Sequence, residues 1–187
     1  MGTRSTRKIL LSGQQVIDGK GLNFSSTSRT GGGTNPTKPI LVLDYRYVRW
    51  FITDIKTFAT ESNVQVSEFV LRNNSVDISM SGATVTNPGG SNPGGEGPSN
   101  LKDGNTSTKW LDFNFKTTPS STLIFDMGSA TAFNGYRWAT ANDSEARDPK
   151  SWTISGSNDG TNYTTLHTVT GFTATSTRLT YQTAQSF

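Results

Sequence analysis

Residues 45–71 read YRYVRWFITDIKTFATESNVQVSEFVL, and how this stretch folds decides the fold of the chain. Its first part lies within Ile40 to Ile52 (ILVLDYRYVRWFI), dense in the β-branched and aromatic residues that fit a pleated surface. Its last part, Val64 to Leu71, alternates: Val64, Val66 and Glu68 fall on one side, Gln65, Ser67 and Phe69 on the other. Neither has helical spacing, so both are expected to be strands. Further strand-like segments follow at Asp77 to Thr86, Trp110 to Phe115, Thr122 to Phe125, Gly135 to Thr140, Ser151 to Gly156, Asn162 to Val169 and Arg178 to Tyr181. Short strands separated by turns point to an all-β antiparallel sandwich, jelly-roll-like in layout.

Outward from these segments the chain changes character. Residues 1–44 carry six basic side chains against two acidic ones, while residues 45–187 carry eleven against twelve. The basic excess therefore belongs to an N-terminal arm, residues 1–44, and the body 45–187 offers no basic face for a nucleic acid. Within the arm, Ser25 to Pro39 (SSTSRTGGGTNPTKP) has too few apolar residues to offset the entropy of ordering itself. Asn87 to Pro98 (NPGGSNPGGEGP) is a loop by backbone chemistry, either an exposed connector or a rim around a ligand site. Of 187 residues none is cysteine, which excludes disulfides, thiolate metal sites and cysteine nucleophiles. No apolar run has signal-peptide or membrane-span length, so neither export nor membrane insertion is expected.

Catalysis finds little support. His167 is the only histidine, sits beside Leu166 in a strand, and is expected to be exposed; no G-x-S-x-G or H-E-x-x-H motif is present. Asp143, Glu145 and Asp148 are close in sequence, but a loop cluster of carboxylates is a weak catalytic signal. No catalytic residue is assigned. The same loop holds Asn142, Asp143, Arg147 and Asp148, the amide, carboxylate and guanidinium groups that recognise neighbouring sugar hydroxyls. The favoured reading is a solvated, turn-forming loop closed by an internal Arg–Asp pair. Trp110, Trp138 and Trp152 are expected in the core, with Leu111, Phe113 and Phe115 sharing one face of their strand.

Three passages occur in order: LKDGNTSTKW (101–110), STLIFDMGSATAFNGYRWAT (121–140) and DPKSWTISGSNDGTNYTTL (148–166). Together they resemble the discoidin, or coagulation-factor C-type, domains, galactose-binding-like sandwiches that include the family 32 carbohydrate-binding modules. Met127 at the aliphatic position after Asp126, and Tyr163 for the last tryptophan, are mild departures. The resemblance implies that Tyr45 to Leu71 supplies the final two strands of such a domain, here placed first, so that the body is a circular permutation. It also implies a structural Ca2+ at the DGN turn, held by Asp103, Asn105 and Thr108 with Glu68 from the displaced strand. Asp103 to Asn105 is equally a turn that needs no metal.

The resemblance implies a non-enzymatic binding module. A basic, glycine-punctuated arm ahead of a cysteine-free β-domain further resembles, in layout, bacteriophage or viral decoration, cement and tail proteins. On that reading the arm binds other subunits of a particle, the domain is displayed outward to host glycan, and the protein is found in virions assembled in a host cytoplasm, oligomeric by assembly. The alternatives are a free, extracellular lectin-like module and an accessory domain of an enzyme.

Overall fold

The computed structural model describes residues 43–187. The arm, apart from Leu43 and Asp44 at the start of the first strand, lies outside the described residues. The longest early strand, β1 (Leu43–Ile55), turns Val48, Trp50 and Ile52 inward with no exposed surface, while Tyr47, Arg49 and Phe51 between them stay half-buried on the far face. That is the two-residue period of a half-covered strand.

Ten further strands follow: β2 (Val64–Val66), β3 (Glu68–Asn73), β4 (Val76–Asp77), β5 (Thr84–Thr86), β6 (Trp110–Asp112), β7 (Ser121–Phe133), β8 (Gly135–Ala139), β9 (Pro149–Ser157), β10 (Thr164–Val169) and β11 (Gln185–Ser186). Two single 3-10 turns, Pro98–Lys102 and Glu145–Arg147, are the only helical elements among the described residues. Five strands form one sheet in the order β10-β9-β1-β7-β5, four form a second in the order β11-β8-β3-β4, and β2 pairs with β6. Every pairing is antiparallel. The fold is thus the expected all-β antiparallel sandwich, of the galactose-binding-like kind.

Aromatic side chains join the two sheets. The Trp50 ring of β1 lies 5.0 Å from Phe69 of β3, 6.2 Å from Trp138 of β8 and 6.0 Å from Trp152 of β9. Phe69 stacks on Phe125 at 4.6 Å and on Tyr136 at 5.6 Å. Each such ring buries a large apolar area, and the offset and edge-on geometries add to that burial. All four tryptophans are buried.

Four local expectations are corrected. Val64 to Leu71 is two strands, because Ser67 leaves the ladder: its N–H and hydroxyl both donate to Ala139 O, and the hydroxyl also reaches Thr140 O. Here the chain changes partner from β6 to β8, so Val64 to Phe69 are all buried and the simple alternation fails. Next, β6 stops at Asp112, whose carboxylate accepts the N–H groups of Ser91 and Asn114 and turns the chain. Phe113 is therefore 46% exposed while Phe115 is fully buried, and with Leu111 they do not form one face. Arg178 to Tyr181 makes a single bridge, Ala139 to Tyr181; Leu179 has φ of 57°, outside the strand region, and the last strand is β11. Finally, His167 is half-buried rather than exposed. Its Nδ1 lies 2.9 Å from the Tyr136 hydroxyl, which accepts from Trp152 Nε1 at 2.7 Å. Burial holds the imidazole below its ordinary value.

Candidate functional site

Two clusters bear on function, and the first is the turn that follows the Pro98–Lys102 helical turn. Leu101 anchors this segment in the core, and Gly104 takes the left-handed φ of 77° that the tight reversal requires. Asp103 Oδ1 accepts the Asn105 N–H at 2.8 Å, and Oδ2 accepts the Thr108 hydroxyl at 2.7 Å. Asn105 Oδ1 accepts the Ser107 N–H at 3.0 Å. Glu68, first residue of β3, reaches the same turn and accepts the Asn105 N–H at 2.8 Å. The structure thus brings Asp103, Asn105, Thr108 and Glu68 together across 37 residues of chain.

The Glu68 side of this cluster is electrostatically unusual. The residue is 1% exposed. Burial, aided by the neighbouring Asp103 carboxyl, pushes its carboxyl up to about 7 against the opposing N–H bonds of Asn105 and Gly104. A buried carboxyl meeting an exposed one at close range calls for a shared proton or a cation. The donors are all oxygen, which suits a hard cation such as Ca2+. Among the described residues no group of three or more His, Asp or Glu side chains is placed to hold a metal, so an ion here would draw the rest of its shell from carbonyl oxygens, the Asn105 and Thr108 side chains, and water.

The second cluster lies where the Asn87–Pro98 and 142–148 loops meet β2 and β6. The Pro/Gly loop is pinned rather than loose: Asn87 Nδ2 donates to Thr122 O at 2.8 Å, Asn92 Nδ2 donates to Leu111 O at 2.7 Å, and Trp110 Nε1 reaches Asn87 Oδ1 at 3.3 Å. At its centre is Lys109, only 7% exposed. Its ammonium lies 2.8 Å from Asp143 Oδ1, 3.2 Å from Gln65 Oε1 and 3.8 Å from the Glu96 carboxylate. Gln65 Nε2 in turn donates to Asp143 O at 2.7 Å and Ser144 O at 3.2 Å. Burial alone would raise the Asp143 carboxyl; the bonds with Lys109 and Gln65 outweigh it and hold the group below the usual carboxylate range. Asp143 still keeps half of its side chain exposed.

The four loop residues picked from sequence separate into two kinds. Asn142 and Asp143 are exposed. Arg147 turns aside to Glu61 at 2.9 Å. Asp148 is fully buried, and both of its oxygens accept from the Arg178 guanidinium at 2.7 Å, while Arg178 Nε donates to Ala141 O. Asp148 is therefore part of the scaffold beneath the loop, not of its surface. Neither Lys109 nor Arg178 stood out in the sequence. Lys109 sits between Thr108 and the core residue Trp110, where a basic side chain with buried partners is the one available hint, and Arg178 carries no local signal at all.

The Asp148–Arg178 pair yields a stability prediction. Arg178→Ala strands a buried carboxylate and is expected to cost about 3–5 kcal/mol in urea unfolding at pH 7. Asp148→Ala should cost less, because the Arg178 side chain keeps 19% exposure and can take water. Equal and small losses would show that the pair does not hold the loop.

The model of the F5/8 type C domain matches residues 82–185, more than half of the chain. Searches of curated proteins and of solved structures return no match. The matched span holds all three motif passages and all but the first four strands of the sandwich, and it starts just before β5. With the sandwich architecture and the DGN turn in place, the chain belongs to the F5/8 type C family, whose domains are generally non-catalytic, ligand-binding modules.

Proposed function

We propose that residues 45–187 form a glycan-binding module whose ligand meets the loop surface around Lys109. The observation that carries this reading is the buried ammonium of Lys109, which draws Asp143, Gln65 and Glu96 from three separate segments into one rigid polar patch. Sugar recognition needs such preorganisation, because each hydroxyl that loses water must find a partner in fixed geometry. Asp143 has acceptor capacity to spare, and the exposed Asn142 amide beside it offers both donors and an acceptor.

Three further parts belong to the same proposal. The Glu68 and Asp103 carboxyls, with Asn105 and Thr108, hold a structural Ca2+ that supplies positive charge where two carboxylates meet. The strands β1 to β3 are the family's closing strands moved to the front. In support, all three precede the matched span, yet β1 sits inside the five-stranded sheet and β3 inside the four-stranded one, and Tyr45 and Phe187 both pack on Phe133, at 6.4 and 5.9 Å, so the two ends of the body lie close. Residues 1–44 anchor the module to a larger particle, in the manner of a viral decoration or tail component, leaving the loop surface outward. The charge contrast between arm and body supports that division of labour.

Glycan-array binding followed by calorimetry on the full chain tests the reading. Asn142→Ala is expected to weaken binding of the selected glycan at least about tenfold without lowering the melting temperature much, since one lost hydrogen bond to a ligand is worth roughly 1.5 kcal/mol; Asp143→Asn should weaken it similarly but also lower the melting temperature, because it takes the nearest counter-charge from the buried Lys109 ammonium. An array with no bound glycan, or binding indifferent to both changes, would overturn it. Removal of residues 1–38 should leave glycan binding intact and abolish incorporation into a particle.

A further inference from the structure

At one edge of the sandwich the two sheets are fastened by a chain of polar and aromatic groups that serves neither the loop surface nor the DGN turn. β10 is an edge strand of the five-stranded sheet, and β11 is an edge strand of the four-stranded one. His167 of β10 lies opposite Ile154 of β9 in the ladder, and since Ile154 is fully buried the imidazole points inward too. There it reaches the other sheet. Its Nδ1 is 2.9 Å from the Tyr136 hydroxyl of β8, and its ring stacks on that of Phe187, next to β11, at 5.8 Å. Phe187 also packs on Phe133 at 5.9 Å and on Tyr136 at 6.3 Å, and its N–H donates to Asn134 O. Since β11 pairs with β8 through only two residues, the seat of the Phe187 ring carries most of its attachment.

Trp152 fixes the donor and acceptor roles along this chain. An indole N–H can only donate, so at 2.7 Å it occupies the Tyr136 oxygen as a donor. The Tyr136 phenol is fully buried, and burial holds it above its ordinary value, so it keeps its own hydrogen. Among the described residues that hydrogen has one acceptor within reach, His167 Nδ1. Nδ1 is therefore unprotonated, and the neutral ring carries its hydrogen on Nε2. A second proton can go only to Nδ1. It would turn the acceptor into a donor aimed at a hydroxyl whose hydrogen then has no partner in a buried place, a fault that folded proteins rarely carry.

The surroundings offer the added charge no compensation. β9 presents Ile154 and, through Tyr136, Trp152; β8 presents Tyr136, and the Phe187 ring covers the imidazole from the β11 side. Tyr136 is the one titratable group among them, no ion pair reaches the ring among the described residues, and burial alone holds the imidazole below its ordinary value. We propose that His167 is an acid-sensitive latch: the neutral ring fastens β10 to Tyr136 and Phe187 of the other sheet, and the protonated ring leaves its seat and releases Phe187 with β11. Release uncovers the outer edge of β8 at Gly135 and Tyr136. Because the folded value lies below the ordinary one of about 6.5, the latch holds fully above that pH and weakens as pH falls through it toward the folded value. Glu68, which pairs with Ala139 at the other end of β8, gains stability over the same fall in pH, so a melting temperature mixes the two and a local measurement separates them.

Amide hydrogen exchange of the full chain, followed by NMR at pH 7.5 and pH 5 and corrected for intrinsic exchange rates, provides the test. The amides of Ser186, Phe187 and β10 are expected to open about tenfold more often at pH 5, the factor that one unit of histidine shift supplies. Those of Trp50 and Leu123, in the middle of the five-stranded sheet, should not follow. His167→Asn places an oxygen acceptor near the position of Nδ1 and takes no proton, so its exchange at these amides should be the same at both pH values. The ring nitrogen shifts of the parent chain need no variant: at pH 7.5 they should show hydrogen on Nε2 and none on Nδ1. A ring protonated on Nδ1 at pH 7.5 would overturn the proposal. So would equal opening of residues 186 and 187 at the two pH values, a rise shared by Trp50 and Leu123, or a rise that persists in His167→Asn.

Discussion

In calcium-free buffer at pH 8, Glu68→Gln is expected to melt roughly 10 °C above the parent chain, an unusual sign for a change at a buried, hydrogen-bonded position. The reason is linkage. Glu68 titrates at about 7 in the folded protein against 4.5 for the free side chain, so between those values the folded state holds the extra proton. Stability must then fall as pH rises through that window, by about 3 kcal/mol in all at 1.36 kcal/mol per unit. For a domain of this size that loss corresponds to a shift of some 2–4 °C per kcal/mol. Glutamine keeps the acceptor for the Asn105 N–H and never carries the charge, so it escapes the loss. At pH 4, where the parent side chain is protonated, the two proteins should melt within about 2 °C of each other.

Calcium supplies the second arm of the same experiment. If the ion sits between Glu68 and Asp103 as proposed, it binds the deprotonated form, and millimolar Ca2+ should raise the parent melting temperature at pH 8 but hardly at pH 5. Glu68→Gln should lose most of that response. A parent chain equally stable at pH 5 and pH 8 without calcium would contradict the raised Glu68 value. A parent indifferent to calcium at pH 8 would remove the ion and leave the proton-sharing pair.

A fragment comprising residues 82–187, which contains the whole span matched by the family model, is expected not to fold. It lacks β1, which lies between β9 and β7 and pairs along most of its length with both, and β3, which lies between β8 and β4. Without them the five-stranded sheet splits, and Val48, Trp50, Ile52, Val64, Val66, Phe69 and Leu71 leave the core. Losing a single buried tryptophan costs about 3–5 kcal/mol, which already approaches the whole stability of a typical domain. Circular dichroism and proton NMR of the fragment would show an unfolded chain. A reordered chain tests the permutation directly: Phe187 is joined through a short glycine–serine linker to Asp44, and the chain is opened at the Asn74–Ser75 turn. It should unfold cooperatively, as the parent does. A cooperatively folded 82–187 fragment would show that β1 and β3 are additions to a complete domain, and the permutation would go.

Much of the fold was legible because strand-forming composition is written along the chain. The β-branched and aromatic residues of Ile40 to Ile52 mark β1 as a strand, but Tyr47 and Phe51 are as apolar as Val48 and Ile52, so which face is covered was decided by the fold. The DGN turn was likewise written locally, since Gly104 must take a positive φ and the side chains of Asp103 and Asn105 bond to backbone two residues on. Where the chain left a regular ladder, period misled. Ser67 exchanges one partner strand for another, and Asp112 ends β6 by accepting the N–H of Asn114 two residues on and that of Ser91 in a loop 21 residues earlier; neither event has a local signature.

The sequence by itself determined the strand content, the all-β class, the family and the residues of the DGN turn, because each depends on neighbours along the chain. Only the tertiary structure decided which of the loop residues face water. Asp143 and Asp148 are five positions apart in one polar loop, yet one is half-exposed beside Lys109 and the other is enclosed with Arg178. The difference is made by cations that arrive from residues 109 and 178, at distances along the chain where no pattern of spacing carries information. A charge can be buried only where its counter-charge is brought to it, and that meeting is a property of the folded sheets.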